Sequence, residues 1–252
     1  MEMLYKILRL RIHFVLIITC FSFQINAQNM LSFPKVIKTN TTLDSGDYAV
    51  KGNNVVRSNA TLTINSGTAL HFAENAVIQI QGGLTIEGKA GNFIVFTSIN
   101  ENKPGMGFVV HQESERSVNI SYADFTTLKK SIKFERYWLR KEVNIKNSMF
   151  HYLNSGVYFE IQEIDKILIQ NEVVVNIENN TFANNIGSMM ISDAAWEQLH
   201  INIKNNVFSR NEFIGRELNG IFTTPLFVNY NEAERQLAQP TIENNSISYN
   251  YV

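Results

Sequence analysis

Val118-Asn-Ile-Ser-Tyr-Ala-Asp-Phe125 returns as Val143-Asn-Ile-Lys-Asn-Ser-Met-Phe150, Val175-Asn-Ile-Glu-Asn-Asn-Thr-Phe182, Ile201-Asn-Ile-Lys-Asn-Asn-Val-Phe208 and Pro240-Thr-Ile-Glu-Asn-Asn-Ser-Ile247. The intervals between copies are 25, 32, 26 and 39 residues. Each copy reads as an in-out-in strand, an asparagine turn and a further apolar residue. Such a unit cannot bury its apolar side alone. Copies must stack, and stacking puts equivalent residues in columns along the stack. The phrase therefore predicts a solenoid.

Upstream, apolar and polar residues alternate with period two, the mark of half-buried strands. Leu62 and Ile64, Leu70 and Phe72, Ile78 and Ile80, then Leu84 and Ile86 are the inward pairs. Leu62 to Leu84 and Ile64 to Ile86 are 22 residues apart; Leu70 to Ile94 and Phe72 to Phe96 are 24. Three short strands followed by a return to register predict a three-sided coil, with Leu70 beside Ile94 and Phe72 beside Phe96. Asn65-Ser-Gly67, Gln81-Gly-Gly83 and Gly91-Asn92 supply corner residues. Further on, Ile132 and Phe134 are answered by Val157 and Phe159, then by Met189 and Ile191. Insertions must leave at corners, and 192–200 and 231–238 read as short helices with polar N-caps.

The run Ala60-Thr-Leu-Thr-Ile-Asn-Ser-Gly-Thr68, then Gly82-Gly-Leu-Thr-Ile-Glu-Gly88, then Phe93-Ile-Val-Phe-Thr-Ser98 resembles the right-handed parallel β-helix repeat proteins of the pectin-lyase-like superfamily. The nearest likeness is to exported bacterial members of Bacteroidota type, and it covers residues 43–252. The resemblance implies an all-β fold, a right-handed parallel β-helix solenoid with short helical corner insertions. Function is open on that ground, because such folds carry lyases, glycosidases, adhesins and structural fibres.

Residues 1–27 read as an export signal. Lys6, Arg9 and Arg11 precede an apolar stretch from Ile12 to Phe23, and Ile25-Asn26-Ala27 offers a small-residue cleavage site. That stretch is too short to span a bilayer comfortably, and no second one follows. Residues 28–46 lack a clear period and are expected as an N-terminal cap or arm, with the β-helix over 47–252. The mature chain would have 19 basic against 22 acidic residues. That balance speaks against nucleic-acid binding, which needs a basic footprint. The single cysteine, Cys20, lies within the signal, so no disulfide or cysteine-held metal is available to residues 28–252. Acylation of Cys20 is the lesser alternative, since Thr19 is a poor residue before a lipidated cysteine.

Several columns follow from the phrase. Asn147, Asn179, Asn205 and Asn244 share one position, and Asn180, Asn206 and Asn245 the next; both are expected to serve structure by amide stacking and corner geometry. Ser121, Lys146, Glu178, Lys204 and Glu243 share an outer position and predict an alternating charge ladder. The resembling lyases bind calcium through clustered acids, and the hydrolases need paired acids. Here Asp124 faces Met149, Thr181, Val207 and Ser246 in its column, so no acidic column forms there. His71, His111, His151 and His200 show no metal-binding or carboxylate-paired spacing, and His71 is expected as a solvated strand residue. Neither catalytic residues, a metal nor a cofactor is expected.

One segment stands out. Lys129-Lys130-Ser-Ile-Lys133-Phe-Glu-Arg136-Tyr137-Trp138-Leu-Arg140-Lys141 interleaves six basic residues with two aromatics. Lys130, Lys133, Arg136, Tyr137, Trp138 and Arg140 are the candidate contacts to an acidic glycan. The alternative is an outer strand with Ile132 and Phe134 inward and a charged corner, partly neutralised by Glu160, Glu163 and Asp165. The expected function is non-enzymatic binding or scaffolding in the periplasm, at the cell surface or in the medium, with a glycan or envelope protein as partner. One rival is a polysaccharide lyase or glycoside hydrolase whose acids gather from separate coils. Another is a protein-interaction module docking through the coil at Asn245–Val252, expected to be open unless the natural chain runs on.

Overall fold

Alternation with period two leaves each strand one apolar face, and three such strands per turn close around a shared interior. A computed structural model describes residues 30–111, 116–135, 142–160, 173–187, 189–191, 199–212, 226–228 and 241–249. Every strand in it pairs in parallel with its counterparts one turn away, in three sheets. Sheet I contains Leu31–Ser32, Gly46–Val50, Thr68–Phe72, Ile94–Ser98, Ala123–Thr126, Met149–His151, Thr181–Ala183, Val207–Ser209 and Ser246–Ser248. Sheet II contains Val36–Ile37, Asn53–Val56, Val77–Ile80, Gly107–Val110, Ile132–Glu135, Val157–Glu160, Met189–Ile191 and Leu226–Val228. Sheet III contains Thr41–Leu43, Thr61–Asn65, Gly83–Glu87, Val118–Ser121, Glu142–Lys146, Val173–Glu178, Leu199–Lys204 and Thr241–Glu243. The chain visits I, II and III in turn. This is a parallel β-helix, consistent with the right-handed coil.

The repeated phrase runs from sheet III, round a corner, into sheet I. Val118, Val143, Val175 and Ile201 pair in one inward column, and Ile120, Ile145, Ile177 and Ile203 in the next. Across the corner, Phe125, Phe150, Phe182 and Phe208 stack with ring centroids 4.7–5.0 Å apart and planes within 9° of parallel. All are fully buried. The expected pairing of Ile132 and Phe134 with Val157 and Phe159, then with Met189 and Ile191, also stands.

One register differs from the sequence reading. Leu70 pairs with Phe96, and Phe72 with Ser98, a step of 26 residues rather than 24. A shift of two residues keeps every side chain on its face, so alternation cannot detect it. Polar bonding at the next corner accompanies it. Buried Ser98 donates from Oγ to Thr127 O at 2.6 Å and accepts from Gly105 N at 2.9 Å. Gly105 passes so close to Phe72 that a Cβ there would come within 2.4 Å of the Phe72 side chain. The shift makes Phe96 a fifth member of the ring stack, 4.6 Å from Phe125.

Residues 31–43, within the segment expected as cap or arm, supply the first strand of each sheet. The export signal expected at 1–27 lies outside the described residues. So do 192–198 and 231–238, where corner helices are expected; Leu199 and His200, the end of the first, open a strand of sheet III. Among the described residues there is no helix long and apolar enough to cross a membrane.

Candidate functional site

Of the six candidate contacts in the basic-aromatic segment, Lys130 and Lys133 lie within the described residues. Lys133 projects from the outer face of sheet II, where its Nζ lies 2.7 Å from Glu135 Oε1. The second Glu135 oxygen is 3.2 Å from Nδ1 of His111, one coil earlier. All three are half-buried, so this carboxylate is shared between two bases across a coil boundary. Lys130 sits at the corner between sheets I and II. Arg136, Tyr137, Trp138 and Arg140 lie outside the described residues, as do Glu163 and Asp165. Glu160 pairs in register with Glu135 in the next coil.

The histidines depart from expectation. His71 Nε2 is 3.1 Å from Asp47 Oδ1, and His151 Nε2 is 2.6 Å from Asp124 Oδ1. With His111, three imidazoles each face a carboxylate of a neighbouring coil. His71 is half-buried in such a pair rather than solvated. The His71–Asp47 and His151–Asp124 contacts run diagonally between coils and His111–Glu135 straight across, so the partners lie about one coil apart in sequence. His71 and Asp47 are 24 residues apart, and no short motif records them. Searching carboxylates at the coil period would have found them.

The remaining charges and amides follow the columns. Lys146 reaches Glu178 and Lys204 reaches Glu243, both at 3.2 Å, forming the expected ladder on sheet III. Beside it a second amide ladder runs up the strands themselves, missed in the sequence because strand asparagines read merely as outward polar residues. Asn144 Nδ2 donates to Asn119 Oδ1, Asn176 to Asn144 and Asn202 to Asn176, at 2.8–2.9 Å.

The two corner asparagines of the phrase have divided their duties. Asn147, Asn179, Asn205 and Asn244 take left-handed φ values of 52–57°, which asparagine tolerates. Asn180, Asn206 and Asn245 turn inward as a spine. Asn206 Oδ1 accepts from Asn180 N at 2.9 Å and from its Nδ2 at 3.1 Å, while Asn206 Nδ2 donates to Ile177 O at 2.9 Å. A parallel spine at the corner between sheets I and II joins Asn185 to Asn211.

Chemically, these arrangements tie coil to coil. Among the described residues, no group of three or more His, Cys, Asp or Glu is placed to hold a metal ion. The class that fold and faces define is a parallel β-helix with polar, laddered outer sheets. Residues 35–112 match the family model of the pectate-lyase-like beta helix domain, and the same three-sheet stacking continues beyond that stretch to Ser248. No curated protein and no solved structure matches the chain.

Proposed function

We propose that this protein is an exported, non-enzymatic β-helix that binds or scaffolds in the periplasm, at the cell surface or in the medium, with a glycan or an envelope protein as partner. One observation carries the reading. Asp47, Asp124, Glu135, Glu178 and Glu243 are each engaged by a base of their own or a neighbouring coil, Glu135 by two, and among the described residues no three of His, Cys, Asp or Glu gather to hold a metal ion. Acids spent in this way hold register; a lyase or hydrolase needs them gathered around a bond. The glycan contacts under this reading are Lys130, Lys133, Arg136, Tyr137, Trp138 and Arg140.

The family match favours a second reading, a polysaccharide lyase or glycoside hydrolase. The two separate cleanly in an assay. The purified protein is expected to release neither unsaturated nor reducing ends from pectin, alginate or glycosaminoglycans, with or without calcium. Turnover that disappears when one carboxylate is replaced would establish the enzyme instead.

A further inference from the structure

The outer faces of the three sheets differ in charge. Sheet III carries the Lys146–Glu178 and Lys204–Glu243 ladder, and sheet II carries Lys133 and Glu135. The outward residues of sheet I lie in two columns, one running from Asp47 to Ser246 and the other from Ser32 to Ser248. Both columns fall wholly within the described residues, and neither contains a lysine or an arginine. Their only acids are Asp47 and Asp124, each already bonded to a histidine of the next coil in the same face. Apart from those two pairs, the columns hold only alanine, valine, threonine, serine and methionine. Met149 and Val207 are each 39% exposed.

The borders of this face point the same way. From Ser121 onward the corner between sheets III and I is one or two residues long, so no insertion rises beside the face on that side. The opposite border, between sheets I and II, needs left-handed backbone, and Tyr152 and Tyr249 adopt it at φ of 53°. At the other corner asparagine fills such positions, and asparagine accepts them more readily. Burial does not repay the tyrosines. Tyr152 rests on the His151 ring, centroids 5.3 Å apart, and is still 62% exposed, while Tyr249 is 76% exposed. Exposed tyrosine held against a local backbone preference marks a contact surface, and tyrosine is enriched where proteins meet.

We propose that sheet I pairs face to face with sheet I of a second copy of this chain. A face that meets itself must bring no like charges together, and the register achieves this. A two-fold axis along the coil axis, between the two columns, sets each outward residue against the other outward residue of its own coil. Asp47 then meets Ala49, Asp124 meets Thr126 and Met149 meets His151, so no two carboxylates oppose each other. Tyr152 of each copy closes over the corner at Asn147 of the other. Nine strands about 4.8 Å apart, each about three residues wide, cover roughly 400–500 Å² of each copy. The pair therefore buries about 800–1,000 Å² before the tyrosine border is added, close to the lower bound for a specific interface. A reversible dimer with a dissociation constant in the micromolar range is expected. An oppositely charged partner protein would find no counter-charge on these columns, which favours the second copy. The pairing goes beyond the proposed function and does not depend on it.

Sedimentation equilibrium of the purified protein between about 1 and 100 µM, the range that this area implies, reads the pairing directly. The wild type is expected to pass from monomer to dimer across it. Met149→Lys combined with Val207→Lys puts four ammonium groups into the pair and should raise the dissociation constant at least about 100-fold. Thr42→Lys combined with Thr85→Lys adds the same charge at the same two-coil spacing on sheet III, and should leave pairing unchanged. Tyr152→Asn installs the residue that the other corner uses at a like φ, so the fold should tolerate it. It should weaken pairing about 2- to 10-fold with the melting temperature unchanged or raised, and it keeps the test decisive if the lysine variant does not fold. A wild type that stays monomeric throughout, whatever other protein it holds, would overturn the proposal. So would a folded lysine variant or a Tyr152→Asn variant that pairs like the wild type, or a sheet III variant that loses pairing equally.

Discussion

Replacing Phe182 by alanine removes the fourth ring of a five-ring stack. Phe182 is fully buried between Phe150, at 4.7 Å and 9°, and Phe208, at 4.9 Å and 5°. Its loss removes two stacked ring contacts worth about 0.5–1.5 kcal/mol each, along with the transfer energy of the ring. Neighbouring coils cannot slide together to fill the hole, because the hydrogen bonds of Thr181–Ala183 to the strands on either side fix their spacing. Phenylalanine-to-alanine changes at such sites cost about 3–5 kcal/mol, against a total stability of about 5–15 kcal/mol. For a chain of this size that corresponds to a fall of about 6–20 °C in melting temperature. Urea unfolding followed by circular dichroism measures the cost. Val207→Ala, on the outer face one coil away, should stay within about 0.5 kcal/mol of the wild type. Phe182→Leu, which keeps most of the volume and loses the stacking, should fall between them. A Phe182→Ala cost below about 1 kcal/mol would refute the ring column as a source of stability.

Two further outcomes test the ladders. Asn206→Ala should cost about 2–4 kcal/mol, because the buried Asn180 N–H and Ile177 carbonyl lose their partners together; a cost under 0.5 kcal/mol would show that the spine adds nothing. Glu178→Gln should cost at most about 1 kcal/mol, and 1 M salt should erase the difference, since its pair with Lys146 is partly exposed and open to screening.

The sequence alone determined the number of sides, the inward columns and most of the register. These follow from side-chain alternation and from the phrase that repeats Val-Asn-Ile and Phe at fixed offsets, and both are local properties of the chain. It also assigned the corner asparagines to structure, because their left-handed tolerance and their amides are intrinsic to the residue. Three things needed the tertiary structure. The pairing of Leu70 with Phe96 differs from the expected one by two residues, a shift that conserves every face and is decided by how Ser98 and Gly105 settle around Phe72. The His71–Asp47, His111–Glu135 and His151–Asp124 pairs form between neighbouring coils, where sequence distance is set by the lengths of corners rather than by any motif. The corner between sheets I and II holds Thr127, Tyr152, Asn184, Arg210 and Tyr249 in equivalent left-handed positions, and with no shared residue type to reveal them, their equivalence shows only in the backbone.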